Sequence, residues 1–162
     1  MMAEELFLRE VRAGDRRGIA NVIRGCANLT GEEKDCANEL LDIYLGDPEQ
    51  KDYSFIAAFL ESGSPAGYAC YGRKALTKGV YDLYWILVDP GQRGKGIGTR
   101  LLLRAEEIVR AEGARMMVAE TSGLGDYEPA RAFYIKNGFR EEARIREFYK
   151  DHDDMIIYVK RF

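Results

Sequence analysis

The chain has 162 residues, with 24 Lys and Arg against 27 Asp and Glu and a formal net charge of −3. Its 46% hydrophobic and 31% charged residues supply one core and a charged surface, which excludes a disordered chain. The mildly acidic balance excludes a broad basic face for nucleic acid, so any polyanion must sit in a local positive pocket.

At the N-terminus, Glu4 and Glu5 stand where a signal peptide is basic, and no apolar run follows, so no leader is expected. No stretch reaches the roughly 18 apolar residues of a membrane span. Residues 6–12 alternate as a first strand. Asp15 is placed to cap a helix whose apolar positions Ile19, Val22, Ile23 and Cys26 fall at i, i+3, i+4 and i+7. Thr30 opens a second helix, with Glu33 at the capping-box spacing. Its apolar stripe is Cys36, Leu40, Leu41 and Tyr44, and Gly46-Asp47-Pro48 stops it.

Segments 54–60 and 66–71 flank a turn-rich stretch and read as a hairpin. Segment 80–88 is apolar on both faces apart from Asp82, the pattern of a central strand covered on both sides. Beyond Asp89-Pro90 and a glycine-rich turn, a helix runs to about Glu112, with Ile97, Leu101, Ala105 and Ile108 on one face and Leu102 and Val109 beside them. Segment 115–120 is the next strand, and 121–127 is a polar loop. Pro129 fits the first turn of a further helix with Ala130, Phe133 and Tyr134 on its buried face, ended by Asn137-Gly138. Segments 139–149 and 155–160 are the last strands.

This order predicts an α/β domain of the α+β type over residues 1–162. A mixed, mostly antiparallel twisted sheet of about six to seven strands is flanked by about four helices, with at least one strand–helix–strand crossover. Cys26, Cys36 and Cys70 form no close pair, which fits a reducing cytoplasm and thiols that serve as small apolar side chains. The lone His152 cannot supply a metal cluster, and no metal is expected.

The chemistry concentrates in the turn from Val88 to Thr99. Gly91, Gly94, Gly96 and Gly98 lie between a strand and a helix, where inward-turned N–H groups and the positive end of the helix make an anion cradle, with Arg93 and Lys95 as counter-charges. A tight turn is the bland alternative. A Walker loop fails because Lys95 is followed by Gly96, and the dinucleotide fingerprint fails on glycine spacing and on position after several strands.

Arg93-Gly94-Lys95-Gly96-Ile97-Gly98, after a strand ending Val-Asp-Pro, resembles the R-x-x-G-x-G/A motif of the GNAT superfamily of acyl-CoA-dependent N-acetyltransferases. Downstream, the run from Ala130 to Phe139 is similar to that superfamily's A-x-x-F-Y-x-x-x-G-F signature. Order and separation match together, and the resemblance covers essentially the whole chain. One departure is Tyr127, which stands where many members carry an Asn that contacts the cofactor's pantetheine arm.

The resemblance implies that backbone N–H groups of Arg93, Gly94, Lys95, Gly96, Ile97, Gly98 and Thr99 hold the pyrophosphate of acetyl-CoA. It implies a splayed central strand pair, 80–88 and 115–120, that admits the pantetheine. A backbone N–H near Ile86 or Val88 then faces the thioester oxygen as an oxyanion donor. Tyr134 takes the place of a general acid for the departing thiolate, worth roughly 10–1000-fold, with simple packing as its alternative. Glu120 resembles the glutamate of ribosomal-protein-type members. Burial would raise its pKa toward the range of a useful base, and a satisfied strand-end carboxylate is the alternative.

The need for a base depends on the acceptor. At pH 7 an α-amine costs roughly 1.4 kcal/mol to deprotonate and a lysine side chain roughly 4.6. Residues 26–47 wall the acceptor site in this superfamily, and Glu32, Glu33, Asp35, Glu39 and Asp42 make that region acidic, which suits a cationic amine or simply a solvated helix face. Tyr81, Tyr84 and Trp85 line either an acceptor pocket or the core. The loop 150–154 reads as a hairpin with His152 exposed and with Asp154 or Tyr149 near the cleft.

The implied function is acetyl transfer from acetyl-CoA to a primary amine, on a small molecule or a peptide, by direct attack in a ternary complex. A homodimer is compatible with it, and nucleic-acid and membrane partners are not expected. Cys70 as an acyl-carrying nucleophile lacks a neighbouring base in the sequence. Two other functions stay open, a non-catalytic acyl-CoA sensor and a nucleotide-binding domain.

Overall fold

The computed structural model describes residues 5–162, so residues 1–4 of the acidic N-terminal segment lie outside the described residues. The chain runs through β1 (Phe7–Glu10), α1 (Arg16–Gly25), α2 (Gly31–Gly46), β2 (Ser54–Phe59), β3 (Pro65–Arg73) and β4 (Val80–Val88). It continues through α3 (Ile97–Ala111), β5 (Met116–Ser122), α4 (Glu128–Lys136), β6 (Arg140–Lys150) and β7 (Asp153–Arg161). The strands form one sheet in the order β1-β2-β3-β4-β5-β7-β6, and every neighbouring pair is antiparallel except β4 and β5. Helix α3 is the crossover that a parallel pair requires.

Helices cover both faces. On one, Ile97, Leu101, Leu102, Ala105 and Val109 of α3 pack with Ile56, Ala69, Tyr81, Leu83 and Met117 of the strands. On the other, Ile19, Val22 and Ile23 of α1 and Ala37 and Leu41 of α2 pack with Phe55, Ala57, Phe59, Tyr68 and Cys70. Burying each large apolar side chain stabilises the fold by about 1.5–3 kcal/mol.

Local signals hold with two adjustments. The Thr30 capping box forms as expected: Glu33 N–H donates to Thr30 Oγ1 at 3.1 Å, and Thr30 N–H to Glu33 Oε2 at 2.9 Å. Asp15 precedes α1, but its side chain does not cap that helix. Its carboxylate accepts from Arg12 N–H at 2.7 Å and pairs with Arg9, closing the turn ahead of α1. Along α2, Cys36 is exposed, because the buried face centres on Ala37 and Leu41, a rotation of one residue from the expected stripe.

The far side of the molecule is tied by charge. Lys160 of β7 donates to both oxygens of Glu106 on α3, at 2.8 and 2.9 Å, and the Glu106 side chain is only 6% exposed. Lys160→Met leaves a buried carboxylate unpaired, and such a loss costs about 3 kcal/mol or more. At 2–4 °C per kcal/mol for a domain near this size, Tm is expected to fall by roughly 6–12 °C in a calorimetric scan. A shift below 2 °C would mean that the pair does not hold α3 to the sheet.

Candidate active site

The site begins where the sheet comes apart. Strands β4 and β5 pair only from Val80–Asp82 against Met116–Val118, and β5 then stays with β7 through Ser122. Beyond Asp82, the edge of β4 that faced β5 borders an open slot. Asp89 N–H donates to Ala66 on β3 at 2.8 Å, and N–H directions alternate along a strand, so Leu87 N–H points to β3 while the N–H groups of Ile86 and Val88 point into the slot. The expectation of a central strand covered on both sides therefore holds for Tyr81 and Leu83 only. From Trp85 to Val88 the strand is half-buried because its neighbour has departed.

A bulge re-aims the same strand. Leu83 pairs with Tyr71 and Trp85 with Cys70, which leaves Tyr84 as an extra residue on β4. The extra residue shifts the alternation by one place. Tyr81 and Leu83 face α3, Trp85 and Leu87 pack with the α1–α2 core, and Ile86 and Val88 return to the α3 side.

At the end of β4, Asp89 accepts from Gly91 N–H at 2.8 Å and starts a short turn, Pro90–Gln92. Gly94 and Gly96 follow with φ of +78° and +74°, a left-handed backbone that favours glycine. A Cβ added at either would point into open space, so a ligand can approach the backbone there. Gly96 is the N-cap residue of α3, and the N–H groups after it belong to the first, unpaired turn of that helix. Arg93 and Lys95 are exposed beside it, Lys95 donating to Gln92 Oε1 at 2.7 Å. Gly98 does a different job: a Cβ there would lie 3.2 Å from the Phe133 ring and 3.7 Å from Val88, so it lets α4 close on α3. The two signature segments of the sequence thus touch at this point.

Helix α4 brings Tyr134 to the same side. Its ring lies 5.9 Å from Phe133, 5.5 Å from Phe139 and 5.6 Å from Tyr158. Burial, with Tyr158 as a second contribution, pushes the Tyr134 phenol up to about 12, so it keeps its proton at neutral pH. Arg131, whose role sequence reasoning missed, donates to the carbonyls of Ser122 and Leu124, both at 2.8 Å, and locks the end of β5 to α4.

The other side of the slot opens into a cleft of about 250 Å³. Cys36 and Leu40 of α2, Leu83, Tyr84 and Trp85 of β4, and Val118 and Glu120 of β5 line it, with Asp82 and Lys74 beside them. A larger hollow of about 490 Å³ near Tyr44, Tyr53 and Glu112 contains neither signature segment. Tyr81 is core, its hydroxyl donating to Glu112 at 2.7 Å. Glu120, expected to be buried at the end of its strand, is exposed. Along β5, Met117 and Ala119 point to the α3 core, whereas Glu120 falls on the opposite phase, toward the open cleft.

Tyr127 sits just before α4, and its hydroxyl donates to Glu33 Oε1, which bridges α4 to the first turn of α2. Burial, then Glu33, holds that phenol above the usual tyrosine range. Of the acidic residues on α2, Glu33 is thus engaged twice and Asp42 pairs with Arg16 at 2.6 Å, while Glu32, Asp35 and Glu39 are exposed. In the last hairpin Asp154 is bound by Arg144 and by Glu147 N–H, and these hydrogen bonds hold its carboxyl below the ordinary range. Tyr149 is pushed up to about 12 by burial and then by the charges of Glu120, Asp153 and Glu33, and it is not among the residues that line the cleft. His152 is exposed.

The sequence profile of the acetyltransferase (GNAT) family matches residues 22–139, from α1 to the end of the second signature segment. The chain belongs to the GNAT family. An IAA acetyltransferase of Azospirillum brasilense is 35% identical to it over 118 residues, 71% of each chain. A crystal structure of a GNAT-family protein from Desulfovibrio desulfuricans superposes with a TM-score of 0.90 at 40% identity, covering 97% of this chain and 99% of that one. The fold is shared more distantly, at 20% identity and a TM-score of 0.73, with the PaiA N-acetyltransferase of Thermoplasma acidophilum solved in complex with coenzyme A, over 98% and 99% of the two chains. This GNAT chain is accordingly an acetyltransferase enzyme. Among its described residues no helix is long and apolar enough to cross a membrane, and no group of His, Cys, Asp or Glu is arranged to hold a metal.

Proposed function

We propose that the chain, acting as one domain in the cytoplasm, transfers an acetyl group from acetyl-CoA to a primary amine, with both substrates bound together. The observation that carries this reading is the splayed β4–β5 pair, whose slot-facing N–H groups lie between a glycine cradle on one side and an aromatic cleft on the other. The residues present fit the cofactor. The open left-handed backbone at Gly94 and Gly96, the first turn of α3 through Thr99, and the side chains of Arg93 and Lys95 accommodate a pyrophosphate. The coenzyme complex of the PaiA relative supports the same ligand.

When bound, the thioester supplies the activated acetyl group. Ile86 and Val88 N–H groups donate to oxygen where negative charge develops, and they are already oriented by the β3–β4 ladder. Tyr134 offers its protonated hydroxyl to the departing sulfur. Complete proton transfer from a phenol near 12 to a thiolate near 8.5 is uphill by about 5 kcal/mol, so the hydroxyl acts chiefly as a hydrogen-bond donor. Glu120, exposed at the cleft, accepts the amine's proton directly or through water. An α-amine needs little such help at neutral pH, and a lysine side chain needs far more.

Free cysteines support a reducing compartment. The exposed β6 edge, with Ile145 and Phe148 outward, supports a homodimer, and a sedimenting monomer at micromolar concentration would remove that element. The main reading is tested by thiol release from acetyl-CoA against polyamines, aminoglycosides, amino acids and free N-terminal peptides. Release above background with at least one amine is expected. Binding of acetyl-CoA without release for any of them would favour a sensor.

A further inference from the structure

The cleft on the α2 side of the slot has a composition that narrows the acceptor. Because of the bulge, Tyr84 and Trp85 are consecutive yet both line the cleft. Tyr84 is held edge-on against Tyr53, with ring centroids 5.3 Å apart and planes at 71°, which fixes an aromatic wall in place. Leu40 comes from α2, and Leu83 and Val118 close the floor from the two diverging strands. Of the two carboxylates in the lining, Asp82 already faces Lys74 at 3.4 Å. Glu120 has no cationic partner among the described residues. A volume of about 250 Å³ is also below the roughly 300–1,000 Å³ of sites for drug-sized ligands.

We propose that the acceptor is a small primary monoamine with a flat apolar body, its body against Trp85, Tyr84 and Leu40 and its amino group at Glu120. One free carboxylate matches one ammonium group, and the aromatic faces suit both an apolar ring and the cation it carries. Polycations such as polyamines and aminoglycosides bring charges that the cleft leaves unpaired, and aminoglycosides exceed its volume. The inference rests on reading the slot as an acetyl-transfer site.

Trp85 is the chain's single tryptophan, so intrinsic fluorescence reports on the cleft directly. Phenethylamine added to the CoA-bound protein is expected to change Trp85 emission saturably. In turnover with acetyl-CoA, phenethylamine and tryptamine are expected to exceed spermidine, kanamycin and an alanine-initiated peptide in kcat/KM by at least about 10-fold. Trp85→Leu should raise the KM for phenethylamine on the order of 10-fold and leave the Kd for acetyl-CoA unchanged. A polycation or peptide preferred over the arylalkylamines, or an emission spectrum unmoved by phenethylamine, would overturn the acceptor class and leave the transferase reading standing. No turnover of any amine would overturn both, and absence of acetyl-CoA binding would identify the cradle as the part that failed.

Discussion

Gly96→Glu is expected to abolish measurable acetyl-CoA binding while leaving a folded protein. Gly96 has φ of +74°, and no atom lies within 4 Å of a Cβ built there, so the substitution meets no clash. A left-handed backbone at a non-glycine residue costs about 1–2 kcal/mol, which a domain of this size tolerates. The added carboxylate projects into the space assigned to the pyrophosphate. Two like charges at 4 Å repel by about 4 kcal/mol at an effective dielectric near 20, and screening at this exposed turn reduces that figure. A rise in Kd of at least about 100-fold by calorimetry is therefore expected. Gly96→Asn, neutral and tolerant of the left-handed region, should lose much less. Normal binding by a folded Gly96→Glu protein would place the phosphates elsewhere.

Tyr134→Phe separates chemistry from packing. The phenylalanine ring keeps its contacts with Phe133, Phe139 and Tyr158, so Tm should move little. What is lost is one hydrogen bond to a developing thiolate, worth about 1.5–3 kcal/mol for a charged partner. That corresponds to a fall in kcat of about 10- to 150-fold with nearly unchanged KM for acetyl-CoA. The sign of the pH dependence follows from the phenol's position near 12: the donating form persists through neutral and moderately alkaline pH and is lost only as pH rises through that value. The wild-type kcat profile should then show no falling limb from this group below pH 10. Unchanged kcat in Tyr134→Phe would reduce Tyr134 to a packing residue.

Much of this architecture was legible along the chain. The element order follows from periodicity, and the glycine turn between β4 and α3 is recognisable because both its residue types and its place between a strand and a helix carry physical meaning. What escaped depends on neighbours. The bulge at Tyr84 is hidden because residues on both sides of β4 are apolar or aromatic, so a one-residue change of phase leaves no mark in hydropathy. Glu120 was expected to be buried because its strand is central, but β4 leaves that strand before Glu120 is reached. Asp15 has the right residue type for a helix cap, yet Arg9 and the Arg12 N–H compete for it more effectively. Tyr127 and Glu33 are 94 residues apart, and no local pattern announces their bridge.

The extra residue in β4 gives distance along the chain a meaning that residue type alone does not have. Counting from the last rung shared with β5, at Asp82, to the Asp89 that starts the glycine turn, the strand carries one more residue than its partner ladder needs. Were the strand to run straight through Tyr84 with all its residues kept, the stretch after Leu83 would change phase: the Trp85 ring would turn toward α3, and the donors now directed into the slot would turn back to β3. Every side chain important to the reaction could be retained and the strand would still present the wrong edge. For β4, the place where one residue is left unpaired is as much a functional property as the identities of its neighbours.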